Sequence, residues 1–104
     1  MLKFFSKLIN KKENKKETDK KVLPISDALE AETLRRLGDY KNALVHIEKA
    51  INGEPNNDMF YATKAQILIK MNDSHNATKA INKAIELNPN IIMYKKIHEE
   101  IMKL

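Results

Sequence analysis

Residues 38–56 read GDYKNALVHIEKAINGEPN, and residues 72–90 read NDSHNATKAINKAIELNPN, so the second stretch repeats the first at an offset of 34 residues. When the alignment is extended to residues 24–57 and 58–91, 12 of the 34 positions are identical. Ordinary amino-acid usage gives roughly two or three identities by chance over this length. A fixed period of about 20–50 residues is typical of arrays in which each unit covers the apolar face of its neighbour.

The apolar residues of each repeat follow a helical period on both sides of a polar turn. We therefore predict five helices, at about 26–37, 40–52, 58–71, 74–87 and 91–104. In the last helix, Ile97, Ile101 and Leu104 lie on one side, opposite Lys95 and Glu99.

Turn and capping residues separate the predicted helices. Gly38 is expected to end the first helix in the left-handed conformation, and Asn72 can adopt the same conformation in the second repeat. Gly53 and Pro55 are expected to end the second helix. The expected N-caps are Ser26 or Asp27 for the first helix, Asn57 or Asp58 for the third and Ser74 for the fourth.

The residues shared by the two copies resemble those of the tetratricopeptide repeat family. The small–bulky–small–proline pattern of that family is matched in both copies, by Ala43, Ile47, Ala50 and Pro55 and again by Ala77, Ile81, Ala84 and Pro89. The stretch Gly38-Asp39-Tyr40 is similar to the turn between the two helices of a unit. The resemblance implies an all-α fold, namely a short α-solenoid of two helix-turn-helix units (24–57 and 58–91) and a capping helix (92–104).

Some positions depart from the family pattern in the first helix of each unit. Asp27 and Tyr61 stand at the early aromatic position, and alanine replaces glycine at Ala31 and Ala65. The following leucine position holds Glu30 in the first copy and Lys64 in the second.

The chain has 104 residues, which is enough for one small domain. It has no cysteine, which excludes disulfides and cysteine-based zinc sites and favours a reducing, cytoplasmic location. The net charge of +5 lies entirely within residues 1–21, which hold eight lysines and three acidic residues. The remaining residues hold 11 basic and 11 acidic side chains. We therefore divide the chain into a basic N-terminal segment (1–22) and a neutral repeat domain (23–104).

The first nine residues form an amphipathic pattern in which Met1, Leu2, Phe4, Phe5, Leu8 and Ile9 share one helical face. Residues 11–21 are a charged linker without apolar residues. Three interpretations remain open: the segment folds back to cap the repeat stack, is disordered, or lies on an anionic membrane surface. Lys3 and Lys7 interrupt the apolar run, which makes a secretory signal a poor interpretation.

Catalytic chemistry is not predicted. His46, His75 and His98 lie far apart in the sequence and lack the spacing of a helix-borne metal site. The only glycines, Gly38 and Gly53, cannot form a phosphate-binding loop. We expect neither catalytic residues nor a metal or cofactor, and we expect nucleic acid not to be the partner because the repeat domain is neutral.

The resemblance implies a non-catalytic adaptor that holds a peptide or partner protein on a concave face formed by the first helix of each unit. The repeat positions place ten residues of the expected site on this face: Glu32, Arg35, Arg36, Met59, Gln66, Ile69, Lys70, Met93, Lys96 and Glu100. Ile25, Ala28, Ala62, Thr63 and Lys103 occupy further positions of the same face.

The clamp by which some family members hold a peptide C-terminal carboxylate is not reproduced. Ala28 with Glu32, and Ala62 with Gln66, stand where lysine with asparagine is expected. The basic residues of the face favour an acidic segment instead. Because two units are few for an array, self-association is a further expectation. The alternative function is a peripheral membrane or polyanion tether that acts through the basic N-terminus and uses the repeats as a platform.

Overall fold

The computed structural model describes residues 23–104, and the expectations for residues 1–22 lie outside this range. The described part of the chain contains five α-helices and no strand, which confirms the predicted all-α helical repeat fold. The helices are α1 (Pro24–Leu37), α2 (Tyr40–Gly53), α3 (Asp58–Lys70), α4 (Ser74–Leu87) and α5 (Ile92–Met102).

The start of the first helix differs from the prediction. Helix α1 begins at Pro24, with Leu23 at the N-cap and no side-chain capping bond, so the expected cap at Ser26 or Asp27 was wrong. Proline is well suited to the first turn because its φ is already helical and a free N–H is not needed there. The Asp27 carboxylate instead lies 2.9 Å from Nδ1 of His46 and joins α1 to α2. The last helix is also shorter than the predicted 91–104.

The same turn geometry joins the helices within each repeat. Gly38 has φ 86° and Asn72 has φ 61°, so both predicted left-handed positions are confirmed. In each turn the next residue, Asp39 or Asp73, donates its backbone N–H to a carbonyl of the preceding helix over 2.9 Å. These bonds satisfy carbonyl groups that the helix end would otherwise leave unpaired.

The aspartates of these turns are the N-caps of the following helices. Asp39 accepts a hydrogen bond from the backbone of Asn42, and Asp73 accepts the equivalent bond from the backbone of Asn76. The expected cap at Ser74 was therefore wrong by one residue, and Ser74 is the first residue of α4. Asn57, one of two expected caps of α3, accepts from the backbone N–H of Met59 over 3.1 Å.

Helix α2 ends at Gly53, as predicted, and the glycine has a further role. A Cβ at this position would lie 2.6 Å from Cγ of Pro24. Glycine therefore allows the first turn of α1 to approach the last turn of α2 closely. The absent side chain, rather than an unusual backbone angle, is the requirement here.

Each helix packs against its neighbours along the chain, and α1 also contacts α3, as α3 contacts α5. In contrast, α2 and α4 do not contact each other among the described residues. Helices α1, α3 and α5 therefore lie close to one another in turn, whereas α2 and α4 lie further apart. Because successive helices are joined by short turns, α1, α3 and α5 run in the same direction, and they form the concave side.

Two apolar clusters hold the array together, and α3 contributes to both. Phe60 and Ile67 of α3 belong to the first cluster, which lies between α1, α2 and α3. Ala65 and Leu68 belong to the second, which lies between α3, α4 and α5. The shared repeat residues are central to these clusters, since the following are completely buried: Ala43, Ile47, Ala50, Ala77, Ile81 and Ala84.

The two ends of the array are largely polar. At repeat positions where the inner helices have buried apolar residues, the outer helices have polar ones. Ser26 and Thr33 of α1 are exposed and occupy the repeat positions of Phe60 and Ile67. At the other end, three of the four residues that correspond by repeat position to the α3 residues of the second cluster are charged and exposed: Lys96 and Glu99 in α5, and Lys103 directly after it. A polar outer face is typical of the terminal units of repeat arrays.

Candidate functional site

Helices α1, α3 and α5 line a groove of about 400 Å³ on the concave side. This volume lies within the range of about 300–1,000 Å³ that is usual for ligand sites. The lining side chains come from three helices and the turn before α3: Ile25, Ala28, Leu29, Glu32, Arg35, Asn57, Met59, Phe60, Ala62, Thr63, Gln66, Met93, Tyr94 and Ile97.

One repeat position forms a row of apolar side chains across the groove. Ile25, Met59 and Met93 are spaced by 34 residues and lie in the first turns of α1, α3 and α5. Their exposed fractions are 50%, 63% and 52%. The row brings one large apolar side chain from each of the three helices to the same surface. About half of the area of each side chain remains available for contact.

The polar part of the lining lies further along the same helices. Arg35 forms an ion pair with Glu32 one turn earlier in α1, and both side chains are partly buried. Thr63 and Gln66 of α3 are half-buried beside them. The groove is therefore apolar near the helix starts and polar toward the helix ends.

The structure brings together five of the ten residues predicted for the site: Glu32, Arg35, Met59, Gln66 and Met93. Four others are exposed but do not line the groove itself: Arg36, Lys70, Lys96 and Glu100. Ile69 is only 8% exposed and belongs to the second apolar cluster. Ile69 is therefore not part of the groove surface.

Five lining residues were not among the predicted ones: Leu29, Asn57, Phe60, Tyr94 and Ile97. The repeat alone could have identified Leu29 and Ile97, because both occupy the position of Thr63 in the neighbouring units. The contribution of Asn57 depends on the path of the turn before α3, for which the sequence pattern has no signal.

A hydrogen-bond cluster forms the floor between α3 and α5. The hydroxyl of Tyr94, a residue that is 2% exposed, donates to the carboxylate of Asp58 over 2.5 Å. The Asn88 amide also donates to this carboxylate, over 3.5 Å. Burial raises the pKa of Tyr94, and the hydrogen bond and charge of Asp58 raise it further. The phenol therefore stays protonated and holds the start of α3 against α5.

A wider depression of about 770 Å³ adjoins the groove. The two share Asn57, Met59, Met93 and Tyr94, and the wider one continues over the turn that contains Pro55. The hydroxyl of Tyr61 donates to the carbonyl oxygen of Pro55 over 2.7 Å, which fixes this turn to α3.

Within residues 23–104, no group of three or more His, Cys, Asp or Glu side chains could hold a metal ion. His46 of α2 is engaged with Asp27 of α1, and His75 is exposed on α4. None of the described helices is both long and apolar enough to cross a membrane.

The described helices form an all-α helical repeat of helix-turn-helix units, with an open groove along one set of helices. The sequence pattern of the tetratricopeptide repeat matches residues 28–57 and 60–91. The chain belongs to this family, whose members are generally non-catalytic modules for protein interaction. No match was found among curated proteins.

Proposed function

We propose that the chain is a non-catalytic adaptor that binds a segment of another protein in the groove between α1, α3 and α5. The observation that carries this proposal is the row of Ile25, Met59 and Met93, which leaves three large apolar side chains half-exposed around one concavity. Contiguous apolar patches on folded domains commonly mark interaction sites. Methionine, which supplies two of the three, adapts to partners of different shape.

The size of the row sets the scale of the affinity. Complete burial of one such side chain contributes about 1.5–3 kcal/mol, so covering the exposed half of each contributes about 1 kcal/mol. Three anchors then contribute about 3 kcal/mol, which is a factor of about 100 in the dissociation constant. The polar lining adds selectivity rather than most of the free energy, because exposed charge pairs contribute little.

A pair of matched variants tests this function. Met59→Glu places a charge in the middle of the row. Val45→Glu places the same charge on α2, outside the groove, at an apolar side chain that is 50% exposed, compared with 63% for Met59. Both variants are used with the parent chain to capture proteins from native lysate, and circular dichroism checks that both remain folded. We expect Met59→Glu to lose proteins that Val45→Glu retains. Equal retention by the two variants would refute the groove as the binding surface.

The charge of residues 1–21 supports a second candidate function, attachment to an anionic membrane or another polyanion. All of the net positive charge lies in this segment, and the sequence of its first nine residues has the pattern of an amphipathic helix. The full chain should float with vesicles that contain anionic lipid, and the double variant Lys3→Glu, Lys7→Glu should not. If the parent chain does not float with these vesicles, this candidate fails and the groove function is unaffected.

A further inference from the structure

The depression beside the groove combines apolar side chains with two carboxylates. Its apolar residues include Pro55, Met59, Ile91 and Met93, and its acidic residues are Glu54 and Asp58. Among the described residues, none of those that line it is basic. Met59 and Met93 are more than half exposed, so the apolar part of this surface is open to contact. The depression therefore suits an apolar occupant that carries positive charge.

The two carboxylates keep their negative charge available. Among the described residues, neither has a basic side chain within 4 Å. Glu54 is exposed and accepts a hydrogen bond from the side-chain amide of Asn57 over 3.0 Å. Asp58 accepts hydrogen bonds from Tyr94 and Asn88. These donors are neutral, and a carboxylate can accept about four hydrogen bonds, so both groups can also receive an ammonium group.

The described part of the chain begins beside this depression. Pro24 packs against Gly53, since a Cβ on this glycine would lie 2.6 Å from Cγ of the proline. The next residue, Glu54, already lines the depression. Because neighbouring Cα atoms are only about 3.8 Å apart, the residues before Leu23 join the array next to the depression.

The segment between the amphipathic residues and α1 is long enough to reach across the depression. The amphipathic pattern ends at Ile9, so 13 residues separate it from Leu23. A chain spans at most about 3.3–3.6 Å per residue, which is about 43–47 Å for this segment. The depression extends to α5, two helix spacings from α1, or about 16–20 Å. The available length is therefore more than sufficient.

We propose that residues 1–9, which lie outside the described range, dock on this depression of the same chain. The sequence of this segment has the chemistry that the depression requires. Its six apolar residues share one face at helical spacing, and an apolar helix face is a common ligand of apolar grooves. Lys7 lies about 60° from the edge of this face at about 100° per residue. A lysine there can lay its stem along the apolar surface and bring its ammonium group to Glu54 or Asp58.

The connection through one chain favours this occupant over a second copy. A short connection gives an effective concentration of the order of 1 mM. A segment with a dissociation constant of about 0.1 mM is then docked in about nine of ten molecules. A second copy of the chain at about 1 μM would occupy the same surface in only about 1% of molecules.

The docked segment covers part of the apolar row, because Met59 and Met93 line both the depression and the groove. Residues 1–9 therefore compete with a partner in the groove, and this consequence, unlike the docking itself, rests on the proposed function. Docking also withdraws the segment from contact with a membrane.

A single tryptophan in the segment measures the docking in the full chain. The chain has no tryptophan of its own, so Phe5→Trp gives one fluorescent reporter. Quenching by acrylamide, which is uncharged, measures the exposure of this reporter. We expect Met59→Lys to raise the quenching constant at least about two-fold, because it removes an apolar contact and repels the lysines, whereas Val45→Lys on α2 should leave it unchanged. Circular dichroism checks that both variants remain folded.

Matched charge changes locate the contact. Glu54→Lys and Glu99→Lys reverse the same charge at exposed positions, inside and outside the depression. Glu54→Lys should weaken docking about two- to five-fold, and Glu99→Lys should not weaken it. The double variant Lys3→Glu, Lys7→Glu should weaken docking as well, and Glu54→Lys added to it should restore part of the loss. Replacement of these two lysines removes no contact among residues 23–104, so it tests the docking independently of the described fold.

Each of the following outcomes overturns the docking. If the quenching constant is the same with and without Met59→Lys, the segment does not contact the depression. If Glu54→Lys and Glu99→Lys act alike, the effect is one of overall charge. A quenching constant that falls as the chain is raised from about 1 μM to about 100 μM assigns the surface to a second copy. If the reporter is shielded only when anionic vesicles are added, the segment binds the membrane instead. None of these outcomes bears on the capture of a partner by the groove, so the proposed function is tested separately.

Discussion

The contact between Gly53 and Pro24 leads to a prediction that runs against helix propensity. Replacing glycine by alanine within a helix ordinarily stabilises it by up to about 1 kcal/mol. Here the new methyl group would lie 2.6 Å from Cγ and 3.3 Å from Cβ of the proline ring. Insertion of a methyl group into such a contact costs about 1–3 kcal/mol. We therefore expect Gly53→Ala to lower the free energy of unfolding by about 1 kcal/mol.

Thermal and urea unfolding of four proteins measures the effect: the parent, Gly53→Ala, Pro24→Ala and the double variant. For a domain of this size, a loss of about 1 kcal/mol lowers the melting temperature by about 4–8 °C. In the Pro24→Ala background the ring is absent, so Gly53→Ala should be neutral or stabilising. The double-mutant cycle should then give a coupling of about 1–2 kcal/mol. A stabilising effect of Gly53→Ala in the parent background would refute the reasoning.

Three further predictions concern the turns and the seam between helices. Gly38→Ala should lower the free energy of unfolding by about 1–2 kcal/mol because the φ of Gly38 is 86°. Asn72→Gly should leave the free energy of unfolding unchanged or raise it slightly. Chemical denaturation of both variants measures the two effects, and equal effects would contradict the prediction. Ala84→Leu should cost about 1–3 kcal/mol because Ala84 is fully buried, so a melt that matches the parent would disprove tight packing there. The side-chain amide of Asn76, and to a lesser extent its backbone N–H, donate hydrogen bonds to the Asp73 carboxylate and lower its pKa below the usual 3.8. The charged carboxylate therefore stabilises the fold at pH values above 3.8, and this stabilisation is lost as the pH falls through the folded-state pKa. The stability gap between the parent and Asp73→Ala should narrow in acid and stay constant near neutral pH, as urea titrations at several pH values would show.

The fold could be predicted from the sequence because its determinants are repeated. Small residues such as Ala50 and Ala84 occur at the same positions in both copies, and the structure buries both completely. The two left-handed turns could be predicted because glycine and asparagine, the residues most often found in this conformation, stand at the same repeat position, as Gly38 and Asn72. The errors were local and depended on single residues. Ser74 could have capped α4, but Asp73 stands one residue earlier in a turn that already directs its carboxylate to the free N–H groups.

The lining of the groove could be predicted only in part. The repeat positions of Met59 and Met93 placed them on the concave face, and both line the groove. Ile69 shares its repeat position with the partly exposed Arg35, yet it is buried, because an apolar side chain at this position turns into the second cluster. Periodicity identifies which residues share a face of a helix. Whether a residue at the border of that face is buried or exposed depends on its side chain and on the residues around it.

The spacing of the apolar row implies that the binding surface is modular in length. Each 34-residue unit adds one apolar side chain to the row, and α5 already presents Met93 without a second helix behind it within residues 23–104. Insertion of a second copy of residues 58–91 after residue 91 should therefore lengthen the row by one side chain, since Tyr94 and Ile101 already cover the second unit much as Phe60 and Ile67 cover the first. The proposed binding surface would then grow in steps of about 10 Å, so the number of units would set the length of the segment that fits it.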